Sequence, residues 1–145
     1  MLSQTAEYAL RAVLYLAEQP HARPVRVEEI GGALDIPANY LSKTLATLVR
    51  SGVLASLRGP HGGFRLAVAP RDLPLLRVVA PFDDIGARRH CLLGNAECSD
   101  RSACSAHQAW KETSARVERF FRETTVADVH QGSAKPRRSR ARRIA

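Results

Sequence analysis

Near the start of the chain, Ala6, Ala9, Leu10, Val13, Leu14 and Ala17 recur at three- and four-residue steps, the stripe of an amphipathic helix. Ser3 is placed to cap that helix and Pro20 to stop it, so the pattern predicts a first helix ending at Gln19. Past the turn at His21-Ala22-Arg23-Pro24, Val27, Ile30 and Leu34 mark a short second helix. Gly31 and Gly32 lower its intrinsic helicity, so packing must hold it. Pro37 suits the opening of a third helix with Leu41, Leu45, Leu48 and Val49 facing inward and Ser51-Gly52 closing it. Two helices joined by so short a turn predict a helix-turn-helix.

The period then changes to two. Residues 53–58 and 64–68 alternate around Gly59-Pro60-His61-Gly62-Gly63, which predicts a β-hairpin. Leu75, Leu76, Val79 and Phe82 predict a fourth helix, after which residues 83–102 are polar and irregular. From about Ser102 to Ala127, Trp110, Thr113, Val117, Phe120 and Thr124 form one seam, with Glu112/Arg116 and Glu118/Arg122 at i,i+4 spacing. A long helix with a single apolar seam calls for a partner helix. The expected fold is mainly α with a small β-hairpin. It comprises a winged helix-turn-helix over residues 1–82, a cysteine-bearing loop over 83–104, a dimerisation helix over 105–130 and a low-complexity, basic, disordered tail over 131–145.

At 145 residues, 45% of them apolar, the chain supports one core and excludes a large enzyme. No stretch approaches the roughly 18 apolar residues that cross a bilayer, and Met1–Glu7 lacks the basic flank of a secretory signal, so a cytoplasmic protein with no membrane partner is expected. The net charge of +8 points toward nucleic acid only after its distribution is considered. Six basic residues and no acid lie in the last fifteen positions, leaving 16 of the 22 basic residues against all 14 acids in the first 130, a net +2.

A helix fits the major groove of B-DNA, and its N-terminal residues then meet base edges and phosphates. Here those residues are Asn39, Tyr40, Ser42 and Lys43: an amide able to pair with adenine or phosphate, two hydroxyl donors, and a cation for guanine or phosphate. The same residues would also make an ordinary solvated helix face. Arg58 stands directly before the Gly59-Pro60-His61-Gly62-Gly63 turn, at the tip of a thin loop. A narrow minor groove attracts such an arginine, and Gly59, His61 and Gly62 let backbone approach the duplex.

The three cysteines and a nearby histidine are spaced Cys91-x6-Cys98-x5-Cys104-x2-His107. Gaps of six and five exceed the two to four residues of common zinc knuckles. Loop-borne thiolates so spaced suit an iron-sulfur cluster, which needs four protein ligands and leaves one place for His107 or a carboxylate. Spacing alone also leaves free buried thiols, zinc or a thiol redox switch open. No nucleotide loop or catalytic pocket motif accompanies them, so an enzyme is not expected.

The ordered set Leu2-Ser3, Glu7-Tyr8-Ala9-Leu10-Arg11-Ala12, Tyr40-Leu41 with Leu45 and Leu48, Ser51-Gly52-Val53-Leu54, Arg58-Gly59-Pro60-His61-Gly62-Gly63-Phe64, the three cysteines and Trp110 resembles the Rrf-type family of bacterial winged-helix transcription regulators, over about residues 1–130. The resemblance implies a homodimeric regulator, read as a repressor, on a pseudo-palindromic promoter site, with Arg58 in the minor groove and the third helix in the major groove. It further implies one cluster per monomer, 2Fe-2S or 4Fe-4S, on Cys91, Cys98 and Cys104. Cys104-x2-His107 resembles the family's two-iron branch, whose first cysteine gap is five rather than six residues. Glu7 stands where the nitric-oxide-responsive branch has an aspartate that reaches a four-iron cluster from the partner subunit. Family members without a cluster make a thiol-switch regulator the alternative.

Overall fold

A computed structural model describes residues 1–20, 23–85, 93 and 100–130. Cys91, Cys98 and the tail read as disordered lie outside the described residues. Helix α1 spans Gln4–Ala17, with the Ser3 hydroxyl accepting from the Ala6 N–H at 3.2 Å as its N-cap. It ends two residues before the expected Gln19, and buries Ala6, Ala9, Ala12, Val13 and Leu16.

Helices α2 (Val27–Leu34) and α3 (Ala38–Arg50) form the helix-turn-helix. The turn is tight: Asp35 adopts the left-handed conformation at φ 56°, and the Ile36 N–H bonds the Gly31 carbonyl at 2.9 Å. A Cβ on Gly31 would lie 2.7 Å from the Ile36 carbonyl oxygen, which explains a glycine in a helix it otherwise weakens. Leu41, Thr44, Leu45 and Leu48 of α3 face the core.

Strands β1 (Leu54–Leu57) and β2 (Gly63–Leu66) pair antiparallel, Leu54 opposite Leu66 and Leu57 opposite Gly63. Val25 extends this ladder through two hydrogen bonds with Phe64, at 2.9 and 2.8 Å, so the hairpin is stitched to the residue that leads into α2. A two-stranded hairpin is marginal alone, and this third segment supplies its support.

Helix α4 (Leu75–Val79) is followed much later by α5 (His107–Glu123) and α6 (Val126–His130). The long helix expected to run to Ala127 instead breaks at Thr124 and Thr125. There the chain turns to pair with residues 73–75, the Leu75 N–H bonding the Thr124 carbonyl and the Val126 N–H bonding the Leu73 carbonyl, both at 2.9 Å. Two consecutive β-branched residues favour the extended backbone these bonds require. Helix α6 then packs on α1 with Val126 fully buried. Along α5, Val117 and Phe121 face this chain's core, whereas Thr113 and Phe120 point outward, Phe120 remaining 53% exposed. The Glu118–Arg122 pair forms as expected, but Glu112 accepts from Gln108 rather than from Arg116. No helix among the described residues is long and apolar enough to cross a membrane.

Candidate nucleic-acid interface and cysteine site

The first turns of α3 are presented by the Asp35–Pro37 turn with Asn39, Tyr40, Ser42 and Lys43 all exposed. Asn39 and Lys43 side chains bond no described residue and are available to a ligand. Ser42 donates its hydroxyl proton to the Ala38 carbonyl at 2.8 Å, leaving mainly acceptor capacity. Tyr40 is engaged as well. Its hydroxyl meets that of Thr5 at 2.6 Å and its ring stands edge-on to Tyr8, with centroids 5.5 Å apart. Arg11 sits over the Tyr8 ring and donates to the Leu34 carbonyl at 2.6 Å, tying α1 to the end of α2.

At the hairpin tip the Gly62 N–H closes a turn onto the Gly59 carbonyl at 3.0 Å, and Gly59 takes φ 101°, a conformation disfavoured for residues with a Cβ. Gly62 is buried, where a Cβ would lie 2.2 Å from the Leu57 carbonyl oxygen, so its immediate role is to permit the turn. Arg58 and His61 are exposed and bond no described residue. Arg26 donates to the Pro60 carbonyl at 2.9 Å. Sequence reasoning missed Arg26 and Thr5, because contacts spanning 34 and 35 residues leave no local pattern.

Of the expected cluster ligands, the described ones lie in two places. Cys104 is a half-buried free thiol, and His107, 6% exposed, opens α5 one turn later with its N–H on the Cys104 carbonyl at 3.0 Å. His107 Nε2 meets the Asp100 carboxylate at 2.8 Å, and Lys111 reaches the same carboxylate at 3.2 Å. The His107 hydrogen bond first, then Lys111, holds the Asp100 pKa below its usual value. A thiol and a carboxylate-oriented imidazole are donors of the kind iron accepts. No group of three or more such side chains converges on a metal-sized site among the described residues. Glu7 lies apart, exposed on the first turn of α1. At the N-cap of the same helix, the Ser3 N–H bonds the Asp83 carboxylate at 2.7 Å.

Residues 2–132 match the Rrf2 family model, described as an iron-dependent transcriptional regulator. The chain belongs to the Rrf2 family. It is therefore a DNA-binding transcriptional regulator and not an enzyme, as its residues implied. An Rrf2 relative from Vibrio atlanticus, the HTH-type transcriptional regulator IscR, is 30% identical over 128 residues, covering 88% of this chain and 73% of that protein. A protein of Aquifex aeolicus, described as an HTH-type transcriptional regulator, is 36% identical over 131 residues, covering 89% and 90%. The fold also matches the solved CymR, the global cysteine regulator of Bacillus subtilis, with a TM-score of 0.75 at 20% identity, covering 92% of this chain and 98% of that one.

Proposed function

We propose that this Rrf2 regulator is a homodimeric repressor of a pseudo-palindromic promoter site that reports redox, nitric oxide or iron-sulfur status through one cluster per chain, 2Fe-2S or 4Fe-4S. The observation that carries it is the pairing of Cys104 with His107 in one turn at the start of α5, the imidazole oriented by Asp100. Cys91, Cys98 and Cys104 would supply three thiolates, and His107, or Glu7 from the partner subunit, the fourth ligand. When bound, such a cluster supplies a redox-active centre open to nitric oxide and oxygen. The chain's own residues supply the coupling. Asp83 ties the start of the 83–104 segment to α1, and the Tyr8–Tyr40 and Thr5–Tyr40 contacts tie α1 to the reading end of α3.

On DNA, Asn39, Tyr40, Ser42 and Lys43 would read the major groove, while Arg58, with Gly59, His61 and Gly62 shaping its turn, would enter the minor groove. The test measures iron and acid-labile sulfide per chain in protein purified under nitrogen, with gel shifts before and after nitric oxide. Stoichiometric iron and sulfide, lost in Cys98→Ala with the fold retained, is the expected result. Metal-free protein whose DNA affinity changes on oxidation would instead establish the cluster-free thiol switch, a reading favoured by the partly accessible Cys104 thiol. Metal-free protein whose affinity ignores both oxidation and alkylation would remove both.

A further inference from the structure

Beyond the turn itself, the hairpin tip is held by a single described contact. Residues 58–62 accept no hydrogen bond from outside the hairpin among the described residues except that of Arg26 on Pro60. The base of the hairpin is fixed differently, by the Val25–Phe64 bonds, with Gly63 so close that a Cβ there would lie 2.5 Å from the Val25 carbonyl oxygen. Arg26 is thus the next residue after the stitched one and the N-cap of α2, with its carbonyl engaged by the Ile30 N–H at 3.1 Å. Its backbone is anchored on both sides, which makes it a fixed post from which a long side chain reaches the tip.

We propose that Arg26 is a positioning residue for DNA binding: its guanidinium holds the Pro60 carbonyl and so aims Arg58 relative to the reading end of α3. The helix-turn-helix and the wing then meet the duplex as one preset surface. Without the strut, the tip must be ordered at the moment of binding, which lowers affinity without removing any contact to DNA. The proposal rests on the reading of Arg58 as the wing's DNA contact. Because Arg26 is itself cationic and exposed, the competing explanation is a direct phosphate contact, and the two differ in salt dependence.

The experiment uses full-length protein and a duplex selected from a random pool by the unmodified chain, with affinity measured across salt for Arg26→Ala, Arg58→Ala and the double variant. Arg26→Met, which keeps the apolar stem and loses the donors, replaces Arg26→Ala if the latter folds poorly. Expected are a loss of about three- to tenfold for the Arg26 variant, an unchanged salt slope, and no additional loss in the Arg58→Ala background. Hydroxyl-radical protection should weaken at the wing's minor groove and persist beneath α3. Additive losses with the slope reduced by about 0.9 would assign Arg26 to a phosphate and overturn the proposal. An Arg26 variant that binds like the parent, while Arg58→Ala is weakened, would overturn it too. Parent-like binding by Arg58→Ala would remove the wing reading beneath it.

Discussion

The hydroxyls of Thr5 and Tyr40 meet at 2.6 Å, joining the first turn of α1 to the first turn of α3. Tyr40 thus has its oxygen engaged within the chain, in the turn that also carries Asn39 and Lys43. Tyr40→Phe and Thr5→Ala should each lower stability by up to about 1 kcal/mol in thermal melts and weaken DNA binding by similar factors. Combined, the two losses should not add. A normal Thr5→Ala beside a weakened Tyr40→Phe would show that the phenol acts on DNA directly.

The neighbouring glycines of α2 should respond in opposite directions. Gly32→Ala meets open space and should raise stability by about 0.4–1 kcal/mol, because alanine is the better helix former. Gly31→Ala drives a methyl onto the Ile36 carbonyl and should cost about 1–3 kcal/mol. Denaturant unfolding of the pair reads both signs.

The Asp128 carboxylate accepts from the Thr125 N–H and hydroxyl, both at 2.8 Å, at the entry to α6. The backbone N–H first, and the hydroxyl second, lower its pKa below 3.8. Because the folded pKa is the depressed one, its stabilisation is complete above the unfolded value and fades as pH falls through the folded value. Asp128→Asn should therefore be less stable than the parent at pH 6, and the gap should close on acidification below about pH 4. A gap unchanged by acid would show that the cap does not depend on the charge.

Phe120 and Phe121 are adjacent, with rings edge to face at 5.4 Å, yet one is 53% exposed and the other 4%. Phe121→Ala should cost about 3–5 kcal/mol of folding stability. Phe120→Asp should leave the melting of a monomer nearly unchanged but shift sedimentation from dimer to monomer. Retention of the dimer would place the homodimer contact elsewhere.

Much of the architecture is visible in the sequence because the signals are local. Ser3 caps α1, Gly52 and Pro37 bracket α3, and the alternation on either side of Gly59–Gly63 makes a hairpin. The end of α5 was not visible, since Thr124 and Thr125 leave the helix for bonds to residues 73–75, fifty positions away in the chain. The seam was half right for a similar reason: periodicity locates a stripe, but Phe121 rather than Phe120 is turned inward by the core that α4 provides. That Asn39, Lys43 and Arg58 stand exposed is legible from position alone, whereas the hydrogen bonds of Arg26, Thr5 and Asp100 join partners that only the folded chain brings near.

The bond from the Ser3 amide to Asp83 has a practical corollary for anyone handling the protein. A substitution that removes the Ser3 amide hydrogen, such as Ser3→Pro, would free Asp83 from the start of α1, so engineering near that end should spare this residue.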